Sequence, residues 1–182
     1  MKAAIMVGGN GTRMGNKIKP LLKKNGKTVL SYVLDNLKKY SINDIYLIIN
    51  DKEQFKKLGY KTITSLKELK NNFNEDFLLL VGDSIINLDF NKLIHYHNIN
   101  KNFTTVVTSD YEIPYGAIRN NVWVEKPKQE VAIGIFVMKP KNLKDSDYLP
   151  DLIGKFKTFK FEGSFIHLTY LEDYEKWKKS KF

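Results

Sequence analysis

Gly8, Gly9, Gly11 and Gly15 enclose Asn10, Thr12 and Arg13, and Lys19 follows four residues after the last glycine. This is a set suited to holding phosphate. Glycine lets backbone N–H groups come close to a ligand, and phosphate oxygens accept such donors well. The Arg13 guanidinium adds a planar fork able to grip a phosphate in two places, and Lys19 adds a point charge on a flexible stem. Two common phosphate loops are excluded by spacing. No two glycines stand five apart with Lys following, as a P-loop requires, and Gly9-x-Gly11 leads to Met14 where a dinucleotide fingerprint needs its third glycine. A second candidate is Asp83, which follows Gly82 at the exit of the apolar run Phe77–Val81. Ligands of open α/β sheets sit outside the carboxyl ends of strands, and a carboxylate there suits Mg²⁺ bridging phosphates to protein.

Strands and helices must alternate to present these residues, and the pattern has that form. Lys2–Val7 reads as a buried strand running straight into the glycine loop. Thr28 to Tyr40 carries Val29, Leu30, Val33, Leu34 and Leu37 at helical spacing, with Thr28 as N-cap. Further strands are expected at 45–49, 61–64, 77–81 and 103–108, with helices at 51–58, 65–72 and 90–100 between them. The second half changes to short strands around 122–125, 131–138, 155–161 and 165–169, closed by an amphipathic helix over 171–180. Alternation of this kind predicts an α/β fold with a largely parallel sheet. No linker or repeat divides the chain, which reads as one domain with nucleotide bound by its first half and a co-substrate by its second. His95 and His97 form an H-x-H on the helix over 90–100, where i and i+2 diverge, and read as structural.

Composition narrows the function classes. A chain of 182 residues buries about 70% of its unfolded surface without staples. Absence of cysteine excludes disulfides and Cys-based zinc or iron–sulfur sites. No leader pattern or long apolar run is present, so a cytoplasmic protein without membrane contact is expected. The net charge of +10 invites a nucleic-acid reading, but residues 1–40 carry nine basic residues against the single acid Asp35. The charge gathers around the phosphate loop, and a small polyanionic ligand accounts for it without nucleic acid.

The run Gly8-Gly-Asn-Gly-Thr-Arg-Met14, followed by Lys19-Pro-Leu-Leu22 and Gly26-Lys27, resembles the signature of the sugar-1-phosphate nucleotidyltransferases, G-G-x-G-T-R-[LM] then P-K-P-L-L. The resemblance continues in order along the chain. Gly82-Asp83 is similar to the family's G-D element, Tyr115-Gly116 to its Y-G, and Glu125-Lys126-Pro127 to its E-K-P. Gly134-Ile-Phe-Val137 resembles its G-I-Y-V strand, and Glu172-Asp-Tyr174 its closing helix start. The resemblance implies a Rossmann-like, GT-A-like three-layer sandwich with a mixed, mainly parallel sheet, residues 1–110 binding nucleotide and 111–182 sugar phosphate. It implies that Gly8, Gly9, Asn10, Gly11, Thr12 and Arg13 hold the nucleotide, and that Arg13, Lys19 and Asp83 do the chemistry. Gly116, Glu125, Lys126 and Gly134 then bind the sugar phosphate, and Asp83 binds Mg²⁺.

Departures bear on specificity and on the metal. The family's glycine-bearing base-reading stretch corresponds to Thr62–Leu69, which has no glycine, and Ala132 stands where an asparagine is usual. The loop from Arg13 to Lys19 is short, as in guanylyltransferases of cofactor synthesis acting on adenosylcobinamide phosphate or molybdenum cofactor. His167, in Phe165-Ile-His-Leu-Thr-Tyr170, stands where a second metal-binding aspartate is expected. Imidazole suits Mn²⁺ or Co²⁺ better than Mg²⁺. The expected activity is transfer of a nucleoside monophosphate from an NTP, with GTP favoured, to a sugar 1-phosphate. The alternatives are a cofactor-type guanylyltransferase and a non-catalytic nucleotide-binding relative. Because a sugar phosphate is already anionic, positioning and charge neutralisation carry such a reaction, and no general base is needed.

Overall fold

The computed structural model describes residues 1–50, 53–100 and 103–181. Along the chain run β1 (Lys2–Met6), β2 (Lys23–Lys24), β3 (Lys27–Thr28), α1 (Val29–Lys39), β4 (Ile45–Ile48), α2 (Glu53–Lys56), β5 (Lys61–Ile63) and α3 (Leu69–Asn72). There follow β6 (Phe77–Val81), β7 (Ser84–Ile86), α4 (Phe90–Ile99), β8 (Thr104–Glu112), β9 (Ala117–Arg119), β10 (Val122–Val124) and β11 (Lys128–Met138). The chain closes with α5 (Leu149–Ile153), β12 (Phe156–Lys160), β13 (Phe165–His167) and α6 (Leu171–Lys179).

Seven strands form the central sheet in the order β12-β8-β11-β6-β1-β4-β5. Strands β5, β4, β1 and β6 are mutually parallel, β12 is parallel to β8, and β11 runs antiparallel to both β6 and β8. Period-two alternation decides which layer each side chain joins. Ala3, Ile5, Leu78, Leu80, Ile135 and Val137 pack with Leu30, Val33, Leu34 and Leu37 of α1 and Phe90 and Leu93 of α4. Ala4, Leu79, Phe77, Phe136 and Met138 face the other way, onto Leu69, Phe73, Leu143 and Leu152. Helices on both faces of a mixed, mainly parallel sheet make the fold α/β and Rossmann-like. Each fully buried aliphatic or aromatic side chain contributes about 1.5–3 kcal/mol, so these two layers dominate stability.

Local chemistry sets the element ends. Thr28 accepts from Ser31 N at 3.0 Å and starts α1, as its position predicts. The helix predicted over 65–72 forms as a 3-10 turn at Leu66–Glu68 followed by α3, because the Glu68 carboxylate bends back to Ser65 N (3.1 Å) and Thr64 N (2.9 Å). The helix predicted over 51–58 covers Glu53–Lys56, and its first two residues, 51 and 52, lie outside the described residues. The strand predicted over 103–108 runs on to Glu112, because β11 pairs with it from Lys128 onward and carries both beyond the core. Strands β7 and β9 and helix α5 are additions that sequence periodicity did not suggest. They are three, three and five residues long, below the length at which a period is readable. His97 is fully buried between Thr105 Oγ1 (2.8 Å) and Asp76 Oδ2 (3.0 Å), while His95 is exposed, which agrees with their structural reading. Among the described residues no helix is long and apolar enough to cross a membrane.

Candidate active site

A cavity of about 690 Å³ opens over the carboxyl ends of four adjacent strands, β6, β1, β4 and β5. Gly8, Gly9, Gly11, Thr12, Arg13 and Lys19 line it with Asp83, so the structure brings together most residues chosen for phosphate chemistry. Asn10 is exposed and stands apart from this wall.

The loop's shape follows from its residues. Gly11 has φ +61°, and a Cβ there would run into the Lys17 carbonyl, so no other residue fits. The Gly11 carbonyl in turn accepts from Met14 N (2.9 Å) and Asn16 N (3.0 Å), closing a tight turn. Met14 then anchors the loop by burying its side chain with Val29, Ile85, Leu168 and Trp177. Gly8 serves close approach: its amide donates to the Ile48 carbonyl (3.1 Å), and an added Cβ would stand 2.7 Å from that of Asn50. Arg13 stays exposed at the cavity's edge, where a guanidinium can meet a ligand.

Lys19 and Asp83 close the other wall. Lys19 Nζ lies 3.0 Å from Asp83 Oδ2, both side chains about one-fifth exposed. Asp83 also stands beside His167, whose Nδ1 is 3.6 Å from Asp83 Oδ1 and 2.6 Å from Ser84 Oγ. Strand β13 delivers His167 there by pairing antiparallel with β7, His167 opposite Ser84, while Leu168 N donates to the Asp83 carbonyl (3.0 Å). Among the described residues no three His, Cys, Asp or Glu side chains gather as a preformed cation cage. The donors present suit a divalent ion that takes one or two protein groups and completes its shell with nucleotide phosphates, as Mg²⁺ does.

Val81 separates this cavity from a second, of about 840 Å³, between β11, β13 and α6. Gly134 and His167 line the second cavity, whose walls are largely apolar: Val131, Ile133, Phe136, Phe165 and Trp177. Gly134 has φ +76° and packs against Val81, where a Cβ would collide, and the β8–β11 register breaks there, between Ala132 and Phe136. Among the described residues Trp177 Nε1 is the buried side-chain polar atom without a hydrogen-bond partner.

The remaining sequence candidates are not brought to either cavity. Gly116, Glu125 and Lys126 belong to the projecting arm formed by β9 and β10, where Trp123 covers Gly116 and donates to Glu125 Oε2 (3.1 Å). Conversely, the first cavity includes Asn50 and Asp147, which the sequence did not single out, and Ser65 and Leu66, which it gave only within the stretch Thr62–Leu69 that stands where the family reads the base. Asn50 and Ser65 follow strand ends on the same side of the sheet as Asp83, a signal that was available. Asp147 comes from beyond residue 110 and carried none.

A family model described as a MobA-like NTP transferase domain matches residues 3–72. The adenosylcobinamide-phosphate guanylyltransferase of Methanocaldococcus jannaschii is 32% identical over 117 residues, 53% of this chain and 59% of that protein. The mannose-1-phosphate guanylyltransferase catalytic subunit beta of Dictyostelium discoideum is 27% identical over 180 residues, 77% of this chain and 50% of that protein. The chain thus spans between half and three-fifths of the length of these curated relatives. Among solved structures, HddC from Yersinia pseudotuberculosis complexed with GMP-PN superposes with a TM-score of 0.76 at 22% identity over 98% of both chains, a likeness of fold. Over residues 3–72 the chain is thus similar to MobA-like NTP transferase domains, and over most of its length it is similar to sugar-1-phosphate nucleotidyltransferases.

Proposed function

We propose that this chain is an enzyme that transfers a nucleoside monophosphate from GTP to a sugar 1-phosphate. The observation that carries the proposal is the meeting of the Arg13 loop with the Lys19–Asp83 pair in one cavity, next to a second cavity across Val81. On this reading an anionic oxygen of the acceptor phosphate forms a bond to the α-phosphorus. The α–β bridging bond breaks, and pyrophosphate leaves with the electron pair. Arg13 and the loop amides hold the leaving pyrophosphate, where charge develops. Lys19 neutralises the α-phosphate. Gly134 borders the acceptor in the second cavity, while Gly116, Glu125 and Lys126 stand on the β9–β10 arm outside both cavities and take no part in this reading. A divalent ion, Mg²⁺ or the softer Mn²⁺ or Co²⁺ favoured by imidazole, would be held by Asp83 with His167 beside it and would supply charge neutralisation. GTP is preferred on the named activities of relatives, which are guanylyltransferases in both cases above.

The test is pyrophosphate release with each NTP against a panel of sugar 1-phosphates, in Mg²⁺ and in Mn²⁺. Turnover with GTP and a hexose or heptose 1-phosphate is expected. Absence of pyrophosphate release with every pair, from protein that still binds nucleotide, would mark a non-catalytic relative. A second reading, a guanylyltransferase acting on a cofactor precursor, is favoured by the short Arg13–Lys19 loop and by the apolar walls of the second cavity. Turnover confined to a bulky organic phosphate such as adenosylcobinamide phosphate would select it.

A further inference from the structure

Asp147 is a carboxylate in the wall of a cavity otherwise equipped for a polyanion, and its place in the fold gives the reason. The cavity crosses the ends of β6, β1, β4 and β5 in that order. At about 4.8 Å between neighbouring strands, its two ends lie roughly 14 Å apart, enough for an extended nucleotide. Lys19, Asp83 and the Arg13 loop occupy the β6–β1 end. At the β5 end stand Ser65, Leu66 and Asp147, with Ile48 and Asn50 of β4 between. The triphosphate belongs with the cations, so the base belongs at the β5 end. A carboxylate there avoids the phosphates and offers acceptors only.

Its position is held from both sides. Asp147 Oδ1 accepts from Lys67 N at 3.3 Å, and Oδ2 lies 3.7 Å from Lys67 Nζ. Lys67 sits in the turn that also carries Ser65 and Leu66, so the second half of the chain is pinned to the rim of the nucleotide cavity. With its side chain 53% exposed, Asp147 keeps lone pairs for a ligand.

A carboxylate with two parallel oxygens matches two adjacent N–H donors. Guanine alone among the common bases presents this pair, N1–H beside the N2 amino group. Adenine and cytosine each set one amino group beside a bare ring nitrogen, which a carboxylate repels, and uracil sets one N–H between two carbonyls. We infer that Asp147 reads the Watson–Crick edge of guanine and selects GTP. The inference deepens the proposed function and rests on its nucleotide site.

Calorimetric titration with GTP, ITP, ATP and CTP, without acceptor, tests it. ITP is GTP without the N2 amino group. Wild type should bind GTP more tightly than ITP, and ATP and CTP more weakly by on the order of 10- to 100-fold, the usual worth of a bidentate base contact. In Asp147→Asn, whose amide N–H₂ opposes the guanine donors, the GTP-to-ITP preference should vanish while the melting temperature without ligand stays unchanged. Equal loss of GTP and ITP affinity in the variant would show that Asp147 only shapes the rim and would overturn the assignment. Binding of nucleotides without guanine preference in wild type overturns the assignment but leaves the nucleotidyltransferase proposal standing. Failure of all four nucleotides to bind overturns both.

Discussion

The Lys19 ammonium stands 3.0 Å from Asp83 Oδ2, joining the end of the phosphate loop to the end of β6 across 64 residues of sequence. Asp83 is therefore engaged by a cation before any ligand arrives. A divalent ion held by Asp83, as proposed, would share or displace this contact, and the freed ammonium would then be placed for a phosphate oxygen. Loop, carboxylate and ligand are thereby coupled through one ion pair.

Asp83→Asn tests that coupling. The side chain lies outside the apolar layers, so the fold should persist. The gain in melting temperature expected for wild type with GTP plus Mg²⁺, which follows from mass action on the folded state, should shrink strongly in the variant. Full metal-dependent activity with an unchanged ligand-induced shift would place the metal elsewhere.

Arg13→Ala removes a contact proposed to strengthen as charge builds on the leaving pyrophosphate. Such losses cost about 2.7–4 kcal/mol, or roughly a hundred- to thousandfold in kcat. Because Arg13 is exposed, the melting temperature without ligand should hardly change. Steady-state kinetics alongside thermal denaturation separates the two effects.

His167→Asp places a second carboxylate beside Asp83, where His167 Nδ1 now stands 3.6 Å from Oδ1. The variant should favour Mg²⁺ over Mn²⁺ more than wild type does, since carboxylate is the harder ligand. Comparing pyrophosphate release in the two metals gives the ratio. Activity found in the variant alone would make the natural chain a binder.

Glu68→Ala probes the turn that positions Ser65 and Leu66. In the folded chain the Thr64 hydroxyl first, and then the Thr64 and Ser65 amides, hold the Glu68 carboxyl below its ordinary value. A depressed folded value means the stabilisation is present above the unfolded carboxylate range and is lost as pH falls through the folded value. At pH 7 the variant should be less stable by about 0.5–2 kcal/mol, nearer the lower figure because the carboxylate is solvent-accessible. Urea denaturation across the acid range should show the gap narrowing towards low pH; a gap that widens there would refute this account of the turn.

Some of this protein is written in short stretches of sequence. The run from Lys2 to Lys19, the Thr28-capped helix α1 and the strand Phe77–Val81 ending at Gly82-Asp83 are all legible, because periodicity, capping and strand-end chemistry act within a few residues. The first and the last of these stretches also carry most of the β6–β1 end of the cavity. The β5 end of this cavity and the second cavity were decided by strand order and long-range packing. Asp147 reaches the cavity because its loop docks on Lys67, 80 residues away, and His167 reaches Asp83 because β13 pairs with β7. The Glu125-Lys126-Pro127 motif was equally legible, yet its residues stand on the β9–β10 arm, away from both cavities. A local match specifies side-chain chemistry, whereas the direction in which an arm projects depends on the register of β8 against β11 and on what packs beneath it. Those contacts join residues far apart in the chain, and no local pattern encodes them.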